Sequence, residues 1–186
     1  MQGSLIAKRY AKALLDLSLE MNVVEEVKAD MELIHSVCKS NADFSLFLRS
    51  PVIRTEKKQN VLKSIFGGKL SDLSTRYLNI ITRKGRESYI NQIAEEYILI
   101  YKKFKNIFTV HFSSATEIND NIRKKVIDLL EKQTKGSIEL IEDVKKELVG
   151  GFVLDYDDYK YDASIAYQLK KLKKSSSEMN LYIRQL

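Results

Sequence analysis

The chain has one cysteine, one proline and two histidines among 186 residues, and it has no long apolar run. With Cys38 alone, no internal disulfide can form, and a reducing compartment is expected. His35, His111 and Cys38 match no familiar ligand spacing, which excludes a His/Cys metal centre. No apolar stretch approaches the ~20 residues that span a bilayer. The opening Met1-Gln-Gly-Ser-Leu-Ile-Ala-Lys-Arg-Tyr lacks the basic-then-apolar order of a secretory signal. Any membrane association is therefore expected to be indirect. Neither Gly67-Gly68 nor Gly150-Gly151 sits in a GxxxxGK[ST] or GxGxxG pattern, so phosphate loops are missing too. Cys38 lies on an apolar helical face with no electropositive neighbour to favour a thiolate. Asp155, Asp157 and Asp158 read as turn carboxylates rather than a calcium site. No catalytic constellation remains, and no cofactor or metal is expected.

What is there is apolar residues in periodic order. An apolar share of 44% with 30% charged residues suits helix-rich structure with packed cores, as one large domain or two small ones. The net charge of +6 would suit nucleic acid, an anionic membrane face or an acidic protein partner, and does not choose among them. Lys102-Lys103-Phe104-Lys105 ends a predicted helix, where cations favour the dipole. Lys170, Lys171, Lys173 and Lys174 spread around another helix without interleaved aromatics, which argues against a nucleic-acid platform.

Up to about residue 105 the period is helical, with breaks at Asn22, Asn41, Pro51, Gly67-Gly68 and Gly85. The spacing predicts helices near 4–20, 23–38, 42–49, 55–66, 72–83 and 87–105, connected by a few residues each. Six such helices read as an antiparallel bundle. Glu25 is placed for a capping box behind Asn22, Thr55 and Ser71 are candidate N-caps, and Gly67 suits a left-handed C-terminal position. After Asn106 the period falls to two: Phe108, Val110 and Phe112 alternate with Ile107, Thr109 and His111. Asn119 is then expected to cap a helix through Gln133 that buries Ile122, Val126, Leu129 and Leu130. Strands near 137–142, 151–155 and 159–161 follow, and Asp162 is expected to cap a last helix carrying Ile165, Leu169 and Leu172. The predicted organisation is multi-domain: a helical bundle over 1–105, a small mixed α/β domain over 106–174, and an extension over 175–186. Ser175-Ser-Ser-Glu178 in the extension forms a possible capping box.

Two features stand out. Gly150-Gly151 opens a strand, where paired glycines mean a sharp bend or close approach to another backbone. The apolar arc of the first helix, from Ile6 and Ala13 through Tyr10 and Leu14 to Ala11 and Leu15, covers over half its circumference, whereas a bundle helix needs about 100°. Either the bundle surrounds this helix on most sides, or part of the arc belongs to a groove for a helix of another chain.

Four segments carry a family resemblance: Ala7-Lys8-Arg9-Tyr10-Ala11-Lys12-Ala13-Leu14, Leu78-Asn-Ile-Ile-Thr-Arg-Lys-Gly-Arg86, Val110-His-Phe-Ser-Ser-Ala115, and Leu148-Val-Gly-Gly-Phe-Val-Leu154 followed by Asp162-Ala-Ser-Ile165. In that order the chain resembles the delta subunit of bacterial F-type ATP synthases, the oligomycin-sensitivity-conferring protein family. It departs from the family where Val144-Lys145 replaces an aspartate, commonly with proline. The resemblance implies a non-catalytic stator subunit that joins the catalytic head to the peripheral stalk, so that the head resists rotor torque during ATP synthesis. It implies a groove for the amino-terminal helix of an alpha subunit, with Tyr10, Ala13, Leu14, Leu17, Leu78, Ile80 and Ile81 as candidates, and a structural turn at Gly150 and Gly151. It also implies contact of the smaller domain with the carboxy-terminal ends of the stalk b subunits, through Phe152–Leu154 and the last helices. The protein would then be peripheral on the cytoplasmic face of the inner membrane, held there by the complex, without nucleic acid. A generic helical adaptor or a basic nucleic-acid-binding module is the alternative.

Overall fold

The computed structural model describes residues 2–116, 118–148, 150–156, 159–169 and 171. The predicted extension at 175–186, together with Leu172, Lys170, Lys173, Lys174, Asp157 and Asp158, lies outside the described residues. The chain is mostly helical with a small four-stranded mixed sheet, and it divides into two compact units between Phe104 and Lys105.

The first unit is built from α1 (Gln2–Glu20), α2 (Val24–Ser40), α3 (Ala42–Arg49), α4 (Thr55–Phe66), α5 (Asp72–Arg83) and α6 (Ile90–Phe104), with a 3-10 turn at Glu87–Tyr89 before α6. Helix α6 packs mainly on α1 and α2, burying Ile90, Ile93, Ala94, Tyr97 and Tyr101. Ala7 and Ala11 on α1 are wholly buried, and their small side chains let a neighbouring helix come close. Tyr97 is the largest fully buried side chain. The Ser18 hydroxyl gives its proton to the Leu15 carbonyl (2.8 Å), which leaves the Tyr97 hydroxyl as donor to Ser18 Oγ at 3.2 Å. A buried phenol thus keeps a partner, as its desolvation requires. Lys58 and Glu87 form a buried pair (2.6 Å), and Lys58 Nζ also donates to the Leu48 carbonyl at 2.8 Å.

Several predicted helix ends move by a residue for identifiable reasons. Asn22 does not cap α2. Its φ is +57°, and Asn22 N–H and Val23 N–H donate to the Leu19 and Ser18 carbonyls, so it closes α1 in a Schellman motif while Val23 takes the N-cap position. Thr55 is the first residue of α4 rather than its cap, which is Arg54. The left-handed residue after α4 is Gly68 (φ +72°), not Gly67 (φ −56°). Ser71 does cap α5, its side chain accepting from Ser74 N–H.

The second unit contains β1 (Ile107–Ser114), α7 (Asp120–Thr134), β2 (Ser137–Val144), β3 (Phe152–Tyr156) and β4 (Tyr159–Asp162). The sheet order is β2-β1-β3-β4, with β1 and β2 parallel across the α7 crossover and the remaining pairs antiparallel. Asn119 caps α7 by accepting from Asn121 N–H. Helix α7 does not bury the expected face. Leu130 is buried and Val126 half-buried, but Ile122 and Leu129 are 50% and 58% exposed. Helix α7 instead turns Val126, Ile127 and Leu130 inward, and Arg123 beside that side pairs with Glu142 on β2. Before the helical turns at 165–169, Ser164 is the cap, accepting from Tyr167 N–H at 3.1 Å; Asp162 instead accepts from Ser164 N–H at 3.0 Å and shapes the turn.

Candidate partner-binding groove

The first unit carries an open trough of about 370 Å³ between the second half of α1, the start of α2 and the outer face of α5. Leu17, Met21 and Val23 form one side, and Leu73, Tyr77 and Ile80 the other, with Glu26, Asp72 and Arg76 at the rim. Leu17, Met21 and Ile80 are 40%, 54% and 53% exposed, so large apolar side chains meet solvent at both walls. Singly, such residues are unremarkable; as facing rows they form the kind of apolar cleft that takes a helix.

Helix α5 is fixed to its neighbours at both ends. At its start, the buried Asp30 carboxylate of α2 accepts from Ser71 N–H (3.0 Å) and from Ser71 Oγ (2.5 Å), while the same hydroxyl oxygen accepts from Ser74 N–H (3.3 Å). An anion beside a helix N-terminus is also favoured by the dipole. Midway, the Tyr77 hydroxyl donates to the Tyr10 carbonyl of α1 at 3.0 Å; burial raises this phenol's pKa above its ordinary value. At its end, Gly85 adopts φ +64°, and Gly85 N–H and Arg86 N–H donate to the Thr82 and Ile81 carbonyls. This Schellman closure turns Arg86 back onto α1. Its guanidinium donates to Tyr10 Oη at 2.5 Å and lies 5.2 Å from the Tyr10 ring centroid. Two of the four segments that carry the family resemblance, those with Tyr10 and Arg86, therefore touch each other.

The seven candidate residues separate by environment. Leu17 and Ile80 line the trough. Tyr10 is half-buried beside Arg86 and does not line the trough, and Ala13 is exposed. Leu14, Leu78 and Ile81 are 0%, 5% and 0% exposed, so they are core residues beneath the walls and offer no surface. Adjacent residues on a helix point about 100° apart, which is why Ile80 and Ile81 part company. Met21, Leu73, Tyr77 and the rim charges were not among the candidates. Met21 could have been found by extending the Leu17 ridge one turn, and Leu73 and Tyr77 by extending Ile80 backward.

In the second unit, Gly151 has φ +79°, and a Cβ there would collide with the Ala163 carbonyl, while one on Gly150 would come within 2.6 Å of Ile165 Cδ1. The glycine pair therefore lies against the entrance of the last helical turns, with Ile165 N–H donating to the Gly150 carbonyl. Of Phe152–Leu154, Val153 is buried; Phe152 stacks on Phe112 at 5.4 Å and continues to Tyr161 at 6.1 Å, which is 63% exposed. His35 donates Nδ1–H to Asn91 at 3.1 Å and is thereby a packing residue. Among the described residues no three His, Cys, Asp or Glu side chains gather in a way that could hold a metal ion, and no helix is long and apolar enough to cross a membrane.

A family model described as ATP synthase delta (OSCP) subunit matches residues 6–175. A protein named ATP synthase subunit delta from Cytophaga hutchinsonii is 32% identical over 178 residues, covering 96% of this chain and 97% of the relative. Its namesake from Parabacteroides distasonis is 32% identical over 168 residues, covering 90% and 93%. One chain from the cryo-EM structure of the Toxoplasma gondii mitochondrial ATP synthase hexamer is similar with a TM-score of 0.70, covering 91% of this chain and 96% of that one. At 22% identity, that likeness is one of fold.

Proposed function

The chain belongs to the ATP synthase delta (OSCP) subunit family, and from that premise we propose that its trough between α1 and α5 receives the amino-terminal helix of an alpha subunit. As a delta subunit it is a non-catalytic stator component of the peripheral stalk of F-type ATP synthase. Family membership displaces the adaptor and nucleic-acid alternatives. The linkage is our reading. The six helices of the first domain act as an antiparallel bundle that holds the catalytic head, and the α/β domain meets the carboxy-terminal ends of the stalk b subunits. The subunit then resides peripherally on the cytoplasmic face of a bacterial inner membrane, reached only through the complex.

The observation that supports this reading is the pair of exposed apolar walls, Leu17 and Met21 facing Ile80 and Tyr77. A clamp that opposes torque needs slow dissociation, and desolvated apolar anchors deliver it mainly through the off-rate. Calorimetry with an alpha-subunit amino-terminal peptide tests the assignment. Ile80→Asp should weaken binding by about 2 kcal/mol, ~30-fold, because it places a carboxylate against the docked helix. Tyr10→Ala should weaken it less. Both variants should melt near the parent temperature, since neither residue is fully buried; unchanged affinity in both would discard the groove.

A further inference from the structure

We infer that residues 175–186 fold back as an amphipathic helix onto the uncovered half of the sheet in the second unit. The strand registers set Val110 and Phe112 of β1 beside Tyr156 and Leu154 of β3, Phe152 beside Ser114, and Tyr161 of β4 beside Leu154, so these side chains share one face. Glu142 of β2 stands beside Phe112 on that face and takes Arg123 of α7, so α7 lies on it too. A helix is about 10 Å wide and strands lie about 4.8 Å apart, so α7 covers two of the four strands. Exposure follows that limit. Val110 and Phe112 are sealed, Phe152, Leu154 and Tyr156 are half-buried, and Tyr161 is 63% exposed. The opposite face is mostly polar, with Thr109, His111, Glu139, Asp155 and Lys160. The apolar face therefore lacks a second covering element over β3 and β4.

This shelf has a wall. Ile122 and Leu129 lie on one side of α7, and in a right-handed β1-α7-β2 crossover that side turns toward β3 and β4. Between wall and sheet there is room for one helix as long as β3, whose five residues span about 17 Å. The chain supplies one that fits. Ser175-Ser-Ser-Glu178 forms a capping box, and Met179, Tyr182, Ile183 and Leu186 follow at i, i+3, i+4 and i+7. As a helix, residues 176–186 reach about 16 Å. A helix so short is marginal in water unless its apolar side is packed. The start of the segment is also close by: Ile165 N–H bonds the Gly150 carbonyl just before β3, so the turns at 165–169 leave from the Phe152 end of the shelf. A tether of a few residues holds the stripe at an effective concentration on the order of millimolar, ahead of a second copy or a stalk helix from solution. The family match stops at residue 175, so family membership does not account for the stripe.

The test uses the full chain with Cys38→Ala and Arg184→Cys, the new thiol carrying a nitroxide on the side away from the stripe. In the isolated ¹⁵N-labelled protein, the amides of Leu129, Leu154 and Tyr161 should lose most of their intensity relative to the reduced label. Tyr182→Asp, on the stripe, and Leu129→Asp, on the wall, should each restore the remaining signals, whereas Gln185→Asp, off the stripe, should not. Unshifted Val110 and Phe112 amides verify that each variant keeps its sheet. A mixture of ¹⁵N chains lacking the nitroxide with unenriched chains carrying it separates the occupants. Intensity lost there as strongly as within one chain means that a second copy covers the shelf, which overturns the inference. Unbroadened amides in the single-chain sample also overturn it, as expected for a shelf kept for a stalk helix. So does a Tyr182→Asp variant that broadens like its parent, since the contact then does not run through the stripe.

Discussion

Leu14 and Leu17 stand less than one turn apart on α1, one with no exposure and the other 40% exposed, and Ile81 and Ile80 repeat the contrast on α5. Truncating a sealed residue removes packing that the core cannot fully recover. Leu14→Ala or Ile81→Ala should therefore lower unfolding stability by about 2–5 kcal/mol in a denaturant titration, whereas Leu17→Ala should cost under about 1 kcal/mol. Peptide capture should follow the reverse ranking once each variant is shown to be folded. Two other buried groups contribute to the alkaline dependence of stability. Burial pushes the Cys38 thiol up to about 11. Burial first, and then the hydrogen bond to Glu25 (2.6 Å), pushes the Tyr101 phenol up to about 12. Each group ionises at lower pH in the unfolded chain, so between about 9 and 12 the folded state binds more protons. Stability should fall as pH rises through that window and be unaffected by these groups below it. The same shift makes Cys38 a poor nucleophile: at pH 8 its reaction with a disulfide reagent should be about 100-fold slower in the folded protein than in urea, because the thiolate fraction falls by that factor. Equal rates would mean that the thiol is not sealed.

At the scale of elements, α5 forms one wall of the trough, and its start depends on a single hydroxyl. Ser71 caps α5 and also satisfies the buried Asp30 carboxylate. Ser71→Ala removes the cap and one of two donors to that carboxylate, so a loss of about 1–3 kcal/mol is expected. Peptide affinity should drop with it, because Leu73 and Tyr77 follow directly in the helix. An Asp30→Asn, Ser71→Ala double variant should be little worse than Ser71→Ala alone, since the charge needing the donors is gone. The role of Ser71 was legible beforehand, because a serine preceding an amphipathic run has few other uses. The facing of α1 was not. Its apolar arc was visibly too wide for one contact, but period alone does not say which part turns inward. The contact with α6 selects the Ala7, Ala11 and Leu14 side, where small residues permit close approach, and leaves Leu17 and Ala13 outside. Helix α7 misled for a related reason. Ile122 and Leu129 fit an apolar stripe, yet the Val126, Ile127 and Leu130 side is the one turned inward, with Arg123 pairing across to Glu142 on the sheet. Which of two overlapping apolar stripes meets the sheet leaves no local signature. The glycine pair was readable as a close approach, but what it approaches, the Ala163–Ile165 segment, required the fold.

For the whole molecule, the proposed linkage, with one contact to the head and another to the stalk, would make the subunit a bivalent linker. Either contact alone keeps it on the assembly, because while one holds, the released end faces its partner at high effective concentration. Weakening the trough alone should therefore not detach the subunit from the assembly. Instead it should detach the head from the subunit. In membranes carrying Ile80→Asp, repeated low-salt washing should release the alpha-containing head several-fold faster than in the parent, while the delta chain stays with the b subunits in the pellet. The effect should be larger under washing than in a single equilibrium measurement, since each transient opening of the trough is ordinarily reversed before the head escapes. If head and delta chain leave together at the parent rate, the trough does not bear the head. If the delta chain leaves first, the weaker link lies in the second domain, and the contacts of that domain rather than α1 and α5 limit how long the clamp withstands rotation.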